Sequence, residues 1–81
     1  MSEARVAVVM GSDSDWPVMS AAVEACREFD VTCFADVVSA HRMPEQMLDF
    51  GRTAHTRGFE VIIAGAGGAA HLPGMLAAVT P

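Results

Sequence analysis

The sequence predicts an α/β protein whose strands run parallel in one sheet. Three short apolar runs, rich in valine and isoleucine, show no alternation of apolar and polar residues, as expected of strands buried on both faces. Each run leads through a loop into a segment with a helix-start signal or helical spacing of apolar residues. Strands that alternate with helices through short connections are typical of βαβ units with right-handed crossovers.

The first strand and helix are predicted over residues 5–10 and 16–29. The strand reads RVAVVM, and the turn that follows it, Gly-Ser-Asp-Ser-Asp, is rich in helix-capping residues. Pro17 suits the first helical turn, where its missing N–H costs nothing. The apolar residues that recur at helical spacing, and are expected to face the core, are Val18, Ala22, Ala25, Cys26 and Phe29.

The second strand is predicted over residues 31–38, with Asp30 in the tight connection before it. Pro44 marks the start of the second helix and Gly58 its stop. The buried stripe of this helix is predicted to be Met47, Phe50 and Ala54.

The third strand is predicted over residues 59–64, and a loop of small residues leads from it into a new helix around residues 72–75. The chain ends at Pro81, before that helix could lead into a fourth strand. The expected architecture is therefore a single domain over residues 1–81, comprising the first three strands of a larger three-layer, flavodoxin-like (Rossmann-like) parallel sheet.

Composition excludes several classes of partner. The net charge of −5 and the absence of lysine argue against nucleic acid and acidic membranes. No stretch approaches the ~18 apolar residues of a membrane span.

Apolar residues make up 52% of the chain and charged residues 19%. This excess of apolar residues indicates burial against more chain or other subunits.

The two cysteines, Cys26 and Cys33, do not have the spacing of a metal-ligand pair. With no secretory segment at the N-terminus, we expect reduced core thiols in a cytoplasmic protein.

The loops that follow the three strands are expected to form one site, because they emerge at the same edge of a parallel sheet. His41 can exchange a proton near neutral pH, and the Arg42 guanidinium suits a phosphate or carboxylate. The pair indicates chemistry on a phosphorylated small molecule. The candidate site residues are Ser12, Ser14, Asp15, Ser39, His41, Arg42, Gly67 and His71.

Structural roles compete with these assignments. The two serines and Asp15 of the first loop are equally well explained as helix caps. His55 is interpreted as a surface or structural residue. Trp16 either lines the site or fills the core, and we favour packing in the core. A metal held by His41 and His71 lacks a further ligand at a recognisable spacing, so no metal site is predicted.

Three segments carry a resemblance to a known family: MGSDSDW at residues 10–16, SAHR at residues 39–42 and AGAGGAAHLPGM at residues 64–75. In their order and spacing, these segments resemble the N5-carboxyaminoimidazole ribonucleotide mutases of bacterial purine biosynthesis. Arg42 and His71 separate the chain from the related animal-type carboxylases, which carry lysine after the SAH triplet and lack the glycine-rich run. Met43 departs from the threonine common in the family, and the chain corresponds to the N-terminal half of its members.

The resemblance implies an isomerase that moves a carboxylate from a nitrogen to a carbon of the substrate, with no cofactor and in an octamer. It implies that His41 is the proton shuttle, that Ser12 and Arg42 hold the 5′-phosphate and that Asp15 holds the ribose. Ser39 and the loop Ala66-Gly67-Gly68 are the expected cradle for the carboxylate or CO2.

Two other classes of function remain open. A nucleotide-binding oxidoreductase would use Gly65-x-Gly67-x-x-Ala70 as a dinucleotide fingerprint, but it also needs an acidic residue about 20 positions downstream. An inactive, truncated flavodoxin-like binding or assembly module would fit the fold and the apolar surface, although it leaves His41 and Arg42 unexplained.

Overall fold

The computed structural model describes residues 4–67 and 71–80, which form an α/β fold on one parallel sheet. The strands are β1 (Val6–Met10), β2 (Cys33–Val37) and β3 (Val61–Gly65), and the helices are α1 (Trp16–Glu28), α2 (Pro44–Thr53) and α3 (His71–Val79). β1 lies between β2 and β3 and runs parallel to both. The predicted fold class is confirmed. Within the described residues, no helix is long and apolar enough to cross a membrane.

The core has two layers of side chains, one on each face of the sheet. On one face, Ala7 and Val9 pack among buried residues of α2 and α3. On the other face, Val8 and Met10 pack against Met19 of α1. The central strand is therefore buried on both faces, as its uninterrupted apolar run predicts.

The second helix begins at Pro44, as predicted, and buries the expected stripe of Met47, Phe50 and Ala54. The α-helix gives way after Thr53 to a short 3-10 turn. Gly58 then adopts a left-handed conformation with φ of 94° and ends the helical segment, which confirms its predicted role.

The predicted apolar stripe of α1 is wrong in part. Cys26 is buried and Ala22 packs towards the sheet, as expected. Val18 and Phe29, however, are each 76% exposed, and Ala25 is exposed as well. Met19 takes the central core position of this helix. The helix carries two adjoining apolar stripes, and helical spacing cannot tell which of them the sheet will cover.

The outer strands start later than their apolar runs suggest, because the preceding turns use the first residues. The Val31 N–H donates to the Cys26 carbonyl at 2.7 Å, and Asp30 has a positive φ of 59°. The Phe59 N–H donates to the Ala54 carbonyl at 3.1 Å. The third helix begins at His71, close to the predicted start.

Candidate active site

The loops after the three strands line one hollow of about 350 Å³ at the carboxyl edge of the sheet. The backbone ties the start of the first loop to the end of β3, because the Gly11 N–H donates to the Gly65 carbonyl at 3.2 Å. The structure brings together seven of the eight predicted site residues around this hollow, namely Ser12, Ser14, Asp15, Ser39, His41, Gly67 and His71.

Ser12 has a structural role in the first loop. Its backbone is extended, and its Oγ accepts a hydrogen bond from the Ser14 N–H at 3.3 Å, which caps the 3-10 turn Asp13–Asp15. The Ser14 hydroxyl lies 3.1 Å from the same oxygen. The capping interpretation of Ser12 is therefore confirmed, and the cap fixes a hydroxyl at the rim of the hollow.

Asp15 occupies the N-cap position of α1, but its side chain makes no capping hydrogen bond. Its carboxylate instead faces the glycines of two loops. A Cβ atom added at Gly67 would lie 3.5 Å from Asp15 Oδ1, and one added at Gly11 would lie 3.8 Å from Oδ2. Since neither glycine has a side chain, the carboxylate is left facing the hollow, where it can accept hydrogen bonds from a ligand.

Ser39 holds the turn that presents His41. The serine is 4% exposed, and its Oγ accepts a hydrogen bond from the Arg42 N–H at 3.1 Å. Its carbonyl also accepts from the Met43 N–H at 3.2 Å. These two bonds close a tight turn between β2 and α2 and leave the imidazole of His41 exposed above the hollow.

The two histidines of the site contact each other directly. His41 Nε2 and His71 Nδ1 lie 3.1 Å apart, and the ring centroids are separated by 5.0 Å. A hydrogen bond at this distance requires a proton on one of the two facing nitrogens and a lone pair on the other. Sequence reasoning placed both residues at the same edge but missed their contact, because nothing in the spacing of two loops specifies it.

Arg42 lies apart from the histidine pair. Together with Asp13 and Met43, it lines a separate hollow on the other side of the turn. Its use as a phosphate clamp stays a prediction, as does the role of each of the other site residues.

The remaining candidates lie outside this hollow or outside the described residues. His55 is exposed in the 3-10 turn after α2, as predicted. Trp16 is 44% exposed, so its interpretation as a packing residue is wrong. Gly68 of the expected carboxylate cradle and Ala70 of the dinucleotide pattern lie outside the described residues. Within residues 4–67 and 71–80, no three histidine, cysteine, aspartate or glutamate side chains group as metal ligands would.

Comparison with known proteins matches residues 5–81 to the family model described as AIR carboxylase. An N5-carboxyaminoimidazole ribonucleotide mutase of Mycobacterium tuberculosis is 66% identical over 77 residues, which cover 95% of this chain and 44% of that protein. The mutase of Synechocystis is 59% identical over 76 residues, covering 94% and 43%. That of Pyrococcus abyssi is 58% identical over 76 residues, covering 94% and 44%. The chain thus spans about half the length of the curated relatives it matches.

Proposed function

This chain belongs to the AIR carboxylase family, and from that premise we propose that it is the N-terminal half of an N5-carboxyaminoimidazole ribonucleotide mutase of purine biosynthesis. The substrate is a ribonucleotide, and the product is its isomer 4-carboxy-5-aminoimidazole ribonucleotide. The observation that carries the proposal is the hollow that His41 and His71, in contact with each other, line together with Asp15 and Gly67.

The proposed reaction moves CO2 from the exocyclic nitrogen to ring carbon C4. Protonation of the carbamate nitrogen releases CO2. Ring carbon C4 then attacks the carbon atom of that CO2. The proton on C4 must leave to restore the aromatic ring. One proton is therefore delivered to nitrogen and one is removed from carbon, so a single imidazole that first gives and then takes a proton balances both steps.

His41 is our proposed proton shuttle, since it is exposed above the hollow while its loop is held by Ser39. His71 orients the His41 ring through the 3.1 Å contact and itself lines the hollow. Retention of CO2 in the hollow makes its second reaction intramolecular, which is worth up to ~7–11 kcal/mol in well-oriented systems. Gly67 and the Ser39 hydroxyl are the proposed cradle for the carboxylate.

The nucleotide is held, in this proposal, by groups at the rim. Asp15 accepts hydrogen bonds from the ribose hydroxyls, because its carboxylate is not used as a helix cap. Ser12 and Arg42 bind the 5′-phosphate, to which the serine hydroxyl and the guanidinium fork can each donate hydrogen bonds. Arg42 lies in the neighbouring hollow beside Asp13, so we propose that its long side chain swings towards the phosphate when the substrate binds.

We also propose that the open edge of β3 packs against the second half of the domain. Val61 and Ile63 are 51% and 36% exposed; they lie on the face of the sheet that α1 packs against, in a part of β3 that α1 does not cover. On the opposite face, a hollow of about 430 Å³ lies beside Ile62, Ala64 and Leu76. A strand edge that is apolar on both faces favours addition of a further buried strand.

We further propose that the whole protein is a cytoplasmic homo-oligomer. Val18 and Phe29 are each 76% exposed on the outer face of α1, which suits burial between subunits. Both cysteines are free thiols, in keeping with a reducing compartment.

A chimera tests the proposed function. Residues 5–81 of this chain replace the matching 77 residues of the M. tuberculosis relative, and conversion of the substrate to its isomer is followed by chromatography. We expect turnover by the chimera and a loss of about 10²–10⁴-fold in kcat for His41→Asn, the usual contribution of general acid–base catalysis. His55→Asn, a change at an exposed histidine away from the hollow, serves as the control. A folded chimera without turnover, or full turnover by His41→Asn, contradicts the proposal.

A further inference from the structure

Cys26 and Cys33 lie on two elements that a tight turn brings together. Cys26 is in the last turn of α1, and Cys33 is the first residue of β2. The Val31 N–H donates to the Cys26 carbonyl at 2.7 Å, which folds the chain back at the end of the helix. Since Val31 is only two residues before Cys33, the start of the strand is held beside the end of the helix.

Both thiols point into the same layer of the fold. Cys33 packs with the cluster formed by Val8, Met10 and Met19, on the face of the sheet that α1 covers. Cys26 is 9% exposed and lies on the inward face of α1. Cys26 follows Ala22 by four residues and Met19 by seven, so it lies on the helix face that packs against this cluster, and the two thiols are neighbours between α1 and the sheet.

Cys33 can be reached from solvent. It is half-buried and lines a surface hollow of about 280 Å³ together with Arg27, Asp30 and Thr32. Cys26 does not line this hollow. The pair therefore consists of one accessible thiol with a buried neighbour, an arrangement in which the first thiol reacts and the second resolves the product.

We propose that Cys26 and Cys33 are a site of covalent modification, at which a low-molecular-weight disulfide oxidises them to an intramolecular disulfide. The Cys33 thiolate attacks one sulfur of the small disulfide, whose S–S bond breaks and releases one thiol. The Cys26 thiolate then attacks Cys33 Sγ, forming the internal bond and releasing the second thiol. Two protein thiols are oxidised, one small disulfide is reduced to two thiols, and the two protons pass to the released thiolates.

The ionisation of Cys33 governs the first step. Burial raises the pKa of this thiol most, the Cys26 thiol raises it further, and the Arg27 cation lowers it in part. Asp30 is the other charged group beside the hollow. Because only the thiolate attacks, we expect the rate to be low at neutral pH and to rise as the pH increases into the alkaline range.

Oxidised glutathione is the probe for the test, with the purified 81-residue chain in its reduced form. We expect the intact mass to fall by two hydrogens and a proteolytic peptide to link Cys26 with Cys33. The equilibrium constant for disulfide formation is measured over a series of glutathione redox ratios. It should be at least about tenfold larger in the folded chain than in urea, because a disulfide that fits the fold stabilises it.

Two variants give the controls. In Cys26→Ser, the adduct of glutathione on Cys33 should persist, because the resolving thiol is missing. In Cys33→Ser, the buried Cys26 should react much more slowly than Cys33 does in the wild type. A wild-type chain that keeps glutathione on Cys33, that forms only disulfides between chains, or that closes the internal disulfide no better when folded than in urea overturns the proposal.

Discussion

His41 Nε2 and His71 Nδ1 lie 3.1 Å apart, so the turn after β2 meets the first residue of α3 through an imidazole–imidazole contact. A hydrogen bond across this contact requires a proton on one facing nitrogen and a lone pair on the other. We therefore expect a change at either histidine to alter the orientation of its neighbour. This coupling distinguishes His71 from a residue that only lines the hollow.

His71→Asn in the chimera should lower kcat and change its pH dependence, because the His41 ring loses the partner that orients it. We expect a smaller loss than for His41→Asn, since the proposed shuttle itself is retained. Steady-state kinetics over a range of pH values provide the measurement, with His55→Asn as the matched control. An unchanged pH profile for His71→Asn would mean that the contact has no part in proton transfer.

Arg42→Ala should weaken binding of the phosphorylated substrate much more than it lowers kcat. A hydrogen bond to a charged group contributes about 1.5–3 kcal/mol, which corresponds to roughly 10–150-fold in Kd. Calorimetric titration of the chimera with the product nucleotide measures this change. Arg52→Ala provides the control, because Arg52 is an exposed arginine in the last turn of α2. Equal Kd values for the two variants would exclude Arg42 as the phosphate ligand.

Gly51→Ala should destabilise the fold, whereas Gly74→Ala should not. A Cβ atom at Gly51 would lie 2.6 Å from Val79 Cγ2 and 3.2 Å from Leu76 Cδ2, so these side chains, or α3 with them, would have to shift. Overpacking of this kind costs about 1–3 kcal/mol, offset in part by the better helix propensity of alanine.

Gly74, in α3, has nothing within 4 Å of an added Cβ, so alanine there should raise the free energy of unfolding by about 0.5–1 kcal/mol. Urea unfolding of both variants tests the pair. Equal effects at the two positions would contradict the close approach of α2 and α3 at Gly51.

Glu60→Gln should lower stability slightly at neutral pH and have no effect in strong acid. The Arg5 guanidinium donates to the Glu60 carboxylate at 2.6 and 2.9 Å and lowers its pKa. The folded state therefore favours the ionised form. This stabilisation is present above the ordinary pKa of glutamate and is lost as the pH falls through the lowered value.

The effect should be small and should diminish further at high salt, because both side chains are exposed. Urea midpoints of wild type and Glu60→Gln at neutral and strongly acidic pH, with and without added salt, give the comparison. If the urea midpoints of wild type and Glu60→Gln differ more in acid than at neutral pH, the ionised Glu60 carboxylate does not stabilise the fold as expected.

Several features of the fold followed from local signals. The apolar run of β1 indicated a strand buried on both faces, and Pro44 marked the first residue of α2. Gly58 was predicted to end the second helical segment, and it adopts the left-handed conformation there. These predictions succeeded because each depends on neighbouring residues and on the steric limits of a single backbone position.

The sequence by itself determined the alternation of strands and helices, the edge of the sheet that carries the site and the residue types available there. Only the tertiary structure decided that β1 is central, that Met19 rather than Val18 faces the sheet, that His41 contacts His71, and that Asp15 faces Gly67 instead of capping α1. The physical reason is the distance along the chain over which each effect acts. Spacing and turn chemistry act over a few residues. The packing of elements distant in the chain decides which of two apolar stripes is buried and which loops touch.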